Sequence, residues 1–154
     1  MKNNLTKKLL LVFIVCVAAV SLMGTSFIIK VGERTTLATS LATDMSAGHL
    51  KIRTGGAPGV ENAETGTLLV DWTLPSMTGD NVSNGVLTFP AVTNVNASAT
   101  NTAGYFRICK ADNTTAVAEG DVGTSAASLV LNTLSIVSGG PCSLSGTVTV
   151  PAGT

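Results

Sequence analysis

From residue 49 onward the chain breaks into apolar runs that are too short for helices, each stopped by Gly, Pro or Asn. Residues 50–54 alternate and are halted by Gly55-Gly56-Ala57-Pro58-Gly59. Residues 67–74 carry the strongest strand pattern and end at Pro75. Turn clusters at Gly79-Asp80-Asn81 and Ser83-Asn84-Gly85 precede a run over 86–89, which Pro90 ends. Residues 91–95, 104–110, 116–120, 128–131, 134–137 and 143–150 continue the series, and Asp112-Asn113 reads as a hairpin turn. Strands spaced at intervals of about ten residues between such breakers predict an all-β fold, an antiparallel sandwich over residues 49–154. In the last run Leu144, Val148 and Val150 stand against Thr147 and Thr149, so one face is buried and the other solvated.

Two segments of different character precede this β region. Residues 31–48 form a short helix or arm. Leu37, Leu41 and Met45 recur at four-residue spacing, Glu33 suits the first turn, and Gly48 offers a stop. The stripe is narrow and threonine-rich, so the helix needs a surface to pack on, its own domain or a partner. Leu37, Leu41 and Met45 are the candidate partner contact.

Residues 1–30 form a hydrophobic leader. Lys7 and Lys8 precede an uncharged stretch over 9–29, long enough to cross a bilayer as a helix. Three readings stay open: a signal peptide cut after Ala19-Val20-Ser21, a retained membrane anchor, or a mis-assigned start with the working chain beginning at Val31.

The net charge of zero averages these parts. The leader holds Lys2, Lys7, Lys8 and Lys30 without an acid, and the remainder holds five basic and nine acidic side chains. An acidic body argues against nucleic acid as a partner. His49 is the single histidine of the 154 residues, which excludes histidine metal cages and leaves a nucleophile–His–acid triad only one base to use. Asp71, Asp80, Glu119 and Asp121 stand in no recognised carboxylate-pair setting, and Asp71 should face away from Trp72. Gly55-Gly56 lacks the lysine and helix of a phosphate loop, and no EF-hand pattern occurs. The residues therefore suggest no catalytic, cofactor or metal site. Cys109 and Cys142 are the candidate disulfide; in an oxidising compartment they would close a loop worth about 3–4 kcal/mol, and elsewhere they would stay thiols.

Several ordered elements carry a resemblance. They are Arg53-Thr54-Gly55-Gly56-Ala57-Pro58, then Ala63-Glu64-Thr65-Gly66-Thr67-Leu68-Leu69, then Thr102-Ala103-Gly104-Tyr105-Phe106-Arg107-Ile108. A hairpin from Asp112 to Val117 follows, then Glu119-Gly120-Asp121-Val122-Gly123, and Leu131-Asn132-Thr133-Leu134-Ser135-Ile136-Val137-Ser138-Gly139 closes the set. In this order they resemble a family of small virion proteins of tailed bacteriophages, over residues 33–151. The resemblance implies a jelly-roll-like sandwich used as a capsid decoration or other head or tail accessory subunit. Its partner would be a capsid or other virion protein, with a homo-oligomer, a trimer by analogy, and no catalytic residues. The chain departs from that family in its leader and in Cys109 and Cys142. The competing expectation is a membrane-anchored or secreted bacterial surface β domain. A pilin-like subunit falls under it, although the prepilin pattern of Gly, Phe and a following Glu is missing.

Overall fold

A computed structural model describes residues 28–150. The three readings of the leader concern residues 1–30 and fall, except for the last three, outside the described residues. No helix among the described residues is long and apolar enough to cross a membrane.

The fold is all-β with one helix. Helix α1 (Val31–Met45) is followed by β1 (His49–Arg53), β2 (Leu68–Thr73), a 3-10 turn (Gly79–Asn81), β3 (Val82–Ser83) and β4 (Val86–Thr88). Then come β5 (Val95–Asn96), β6 (Asn101–Thr102), β7 (Tyr105–Cys109), β8 (Ala116–Gly123) and β9 (Leu129–Val130). The chain closes with β10 (Ser135–Ile136), β11 (Pro141–Cys142) and β12 (Thr147–Thr149). The main sheet runs β2-β1-β7-β8-β9, and β10-β6, β11-β5 and β12-β4-β3 are small separate sheets.

Pairing is antiparallel throughout with one correction to the expectation: β8 and β9 run parallel, with Val122 opposite Leu129. A short excursion through 124–128 makes this possible. The Asp121 carboxylate accepts from the Ser128 N–H at 3.1 Å and from its hydroxyl, which folds the chain back beside itself. The Ser128 hydroxyl and then its N–H also hold the Asp121 carboxyl below its ordinary value.

Register assigns the two faces of the main sheet. Leu50 lies between Trp72 and Ile108, and Ile52 between Val70 and Phe106, all on one face. These side chains form the core with Leu69, Leu87, Ala97 and Leu144, joined by half-buried Leu131, just after β9, and by Ile136, Cys142 and Val148 from the small sheets. Trp72 buries its ring there and its Nε1 donates to the Cys142 carbonyl at 3.2 Å, so its one polar atom is satisfied.

Helix α1 is held by the same core. Its four threonines donate their hydroxyls to carbonyls four residues back, for example Thr39 to Thr35 at 2.9 Å, so they demand nothing from outside the helix. Ala38, Ala42 and Met45 are buried. This corrects the candidate partner contact: Met45 is 0 % exposed, Leu41 is half-buried against the core, and only Leu37, at 52 %, faces solvent. The face that packs on the core is marked instead by Ala38, Ala42 and Met45, at i, i+4 and i+7. The helix stops at Met45. Ala47 takes the left-handed turn (φ 53°), and the Gly48 N–H closes on the Met45 carbonyl at 3.0 Å.

Candidate functional site

The second face of the main sheet is polar and yet buried. Period-2 alternation places His49, Lys51 and Arg53 of β1 beside Asp71 of β2, Tyr105, Arg107 and Cys109 of β7, and Glu119 and Asp121 of β8. Arg107 is 2 % exposed, Lys51 5 % and Tyr105 0 %. The residues between β1 and β2, 54–67, fold back over these groups and cover them.

Each buried charge has a partner. Arg107 donates Nε to Glu119 Oε2 at 2.9 Å, and its Nη2 also meets that oxygen. Its remaining donors reach the covering loop, at the Asn62 carbonyl (2.9 Å) and the Gly59 carbonyl (3.0 Å), while Gly59 N–H donates to Glu119 Oε1 at 3.0 Å. Arg53 binds Glu64 Oε2 at 2.8 Å and the carbonyls of Thr65 and Gly66. Lys51 Nζ donates to Glu64 Oε1 at 2.7 Å and to the Asn113 carbonyl at 2.9 Å. The Tyr105 hydroxyl donates to the Thr65 carbonyl at 2.8 Å and accepts from the Thr65 N–H. Burial alone would raise the Glu64 carboxyl, but the Lys51 hydrogen bond and the charges of Lys51 and Arg53 outweigh it and hold it below its ordinary value.

Two glycines let the loop lie this close. A Cβ on Gly66, at φ 71°, would sit 2.1 Å from the Thr54 carbonyl oxygen. A Cβ on Gly104 would sit 2.0 Å from that of Gly55. Beyond the sheet, Asp112 shapes the β7–β8 turn. The Thr115 hydroxyl, then the N–H groups of Thr114 and Thr115, hold its carboxyl far below the usual range.

His49 Nδ1 lies 2.9 Å from Asp71 Oδ1, and Cys109 is the next cross-strand neighbour of His49. This places a thiol, an imidazole and a carboxylate on one face without an activated nucleophile. Cys109 is 0 % exposed, burial pushes its thiol up, and its Sγ points to Glu64 at 3.6 Å. Asp71 does face away from Trp72, as alternation predicts, and is half-buried beside His49. No group of three or more metal-ligating side chains occurs among the described residues.

The candidate disulfide is corrected by the same alternation. Cys109 belongs to the polar face, whereas Cys142 packs with Trp72 against the apolar face, so the sheet stands between two free thiols. Sequence reasoning also missed the buried network of Lys51, Arg53, Glu64, Arg107 and Glu119. The signal was there in Lys51 and Arg107, each flanked on both sides by apolar strand residues. Charges at such positions in central strands need a cover and partners. Beside the network a hollow of about 460 Å³ is lined by Asn62, Glu64, Arg107, Asn113 and Ala116 among others.

Comparison with family models, curated proteins and solved structures finds no match for this chain.

Proposed function

We propose that this chain is a non-enzymatic structural subunit of a tailed-phage virion, a capsid decoration or other accessory protein with a jelly-roll-like sandwich. One observation supports the reading above others. The elements that carry the resemblance between Arg53 and Glu119 meet in the polar clamp. Arg53 and Glu64 come from the first two elements, Tyr105 and Arg107 from the third, and Glu119 from the fifth. Gly66 and Gly104 permit the same close approach. Such residues hold a rigid shape, which suits a subunit that works by surface contact.

The contact surface in this reading starts at the helix. Leu37 is exposed, and so are Ile28 at 72 % and Val31 at 49 %. The partner would be a capsid protein, and the oligomer a trimer by analogy with such subunits.

The test is the mass and location of the natural chain. Recovery from purified particles, starting near residue 31, is the expected result. A full-length chain confined to the membrane fraction would replace this reading with an anchored bacterial surface domain. Leu37→Asp should reduce particle incorporation at least tenfold, with unfolding within about 0.5 kcal/mol of the parent because the side chain is exposed. Unchanged incorporation would remove the helix from the interface.

A further inference from the structure

We propose that copies of this chain associate with one another through the ribbon formed by residues 95–102 and 135–142. This goes beyond the virion reading and does not rest on it.

The ribbon is one antiparallel ladder, although it is interrupted as strands. β5 pairs with β11, and β6 with β10. Between these pairs the Ala97 N–H donates to the Gly140 carbonyl at 2.9 Å, and the Gly139 N–H to the Ala97 carbonyl at 2.8 Å. No charged side chain occurs in residues 81–106 or 122–154, so every strand of the three small sheets is neutral. The ribbon shows Asn96, Thr102, Ser135, Val137 and Pro141 to solvent. The free surface of a soluble domain carries charge on about a quarter to a third of its residues. The core of a protein interface is depleted in charge. The five basic and nine acidic side chains after residue 30 lie on the helix, the main sheet, their connecting loops and the 3-10 turn. The helix does bring Arg34 to the β3–β4 turn, where it donates to the Asn84 carbonyl, but that turn is outside the ribbon.

The same face carries a knob and a hollow. Val137 is 60 % exposed. Beside it a hollow of about 200 Å³ is floored by Ile52, Val70 and Trp72 and walled by Ile136 and Cys142. This is room enough for a valine side chain in apolar surroundings.

The distribution of charge selects the occupant. Identical acidic bodies repel one another wherever acidic surfaces meet. A neutral face removes that repulsion and requires no charge to leave water. A basic partner would be drawn to the acidic side chains and would gain nothing from their absence here, so a second copy is the occupant this face suits. Val137 of one copy then enters the hollow beside Cys142 of the next. A knob and a hollow on one face let the contact repeat about a symmetry axis.

Sedimentation of the purified natural chain tests the proposal. The expected result is an oligomer whose dissociation constant changes less than about threefold between about 0.05 and about 0.5 M salt, because no charge pair is made or broken at the contact. Val137→Asp sets a carboxylate against the neighbouring hollow and should weaken association about a hundredfold or more, with the far-UV circular dichroism of the parent. Val60→Asp alters another exposed valine, on the loop over the polar face, and should leave association within about twofold. Peptide mapping after N-ethylmaleimide treatment gives a second measure. Cys142 should react about tenfold faster in Val137→Asp, whereas Cys109, buried under the polar clamp, should react slowly in both. A natural chain that stays monomeric up to about 0.5 mM would overturn the proposal. So would an oligomer that Val137→Asp leaves intact, or one that Val60→Asp breaks equally.

Discussion

The two faces of the main sheet are both buried and are built in opposite ways. On one, Leu50, Ile52, Val70, Trp72 and Ile108 meet other apolar side chains, and what matters is volume and shape. On the other, Lys51, Tyr105 and Arg107 meet named atoms of a loop, and what matters is that each donor finds its acceptor. The apolar face stabilises through area removed from water, a cost spread over many contacts. The polar face contributes little net energy, because desolvation offsets attraction, but a single missing partner is severe. The first face makes the domain fold, and the second decides where residues 54–67 lie.

Small changes of side chain separate the two faces most sharply. Glu119→Gln keeps the volume but leaves the Arg107 charge buried without its carboxylate, and should cost about 3–5 kcal/mol in denaturant unfolding. A loss below 1 kcal/mol would mean that the polar face is wetter and looser than the geometry describes. Ile52→Val removes one methylene from the apolar face and should cost about 1 kcal/mol. A cost equal to that of Glu119→Gln would erase the distinction.

The smallest effect is a pH dependence. The folded protein holds the Glu64 carboxyl below its unfolded value. The resulting stability is fully present above the unfolded pKa and is lost as pH falls through the folded one. Glu64→Gln should therefore flatten the acid side of the stability curve, with little change in its slope above neutrality. An acid limb as steep as that of the parent would assign the dependence to other carboxylates.

Much of this was legible in the residues. Alternation in 50–54, 67–74 and 104–110 placed β1, β2 and β7 within a residue or so, and set Asp71 opposite Trp72. The Asp112-Asn113 turn and the short helix within 31–48 also fell where expected. The two-residue strands β3, β6 and β11 were not foreseen, since a pair that short carries no period of its own. The polar clamp was half visible. Charges at Lys51 and Arg107 were plain, but Glu64 lies in a loop without periodicity, and the Asn113 carbonyl is a backbone atom that any residue would supply.

By itself the sequence determined the class of fold, because breaker residues and period-2 runs act locally on the backbone. It also determined which residues of each strand share a face. Only the tertiary structure decided which face each strand turned to the core, which loop covered the other, and that Cys109 and Cys142 lie on opposite sides of a sheet. Those outcomes depend on pairings tens of residues apart, and on burial that forces each charge to find a partner, neither of which leaves a local trace.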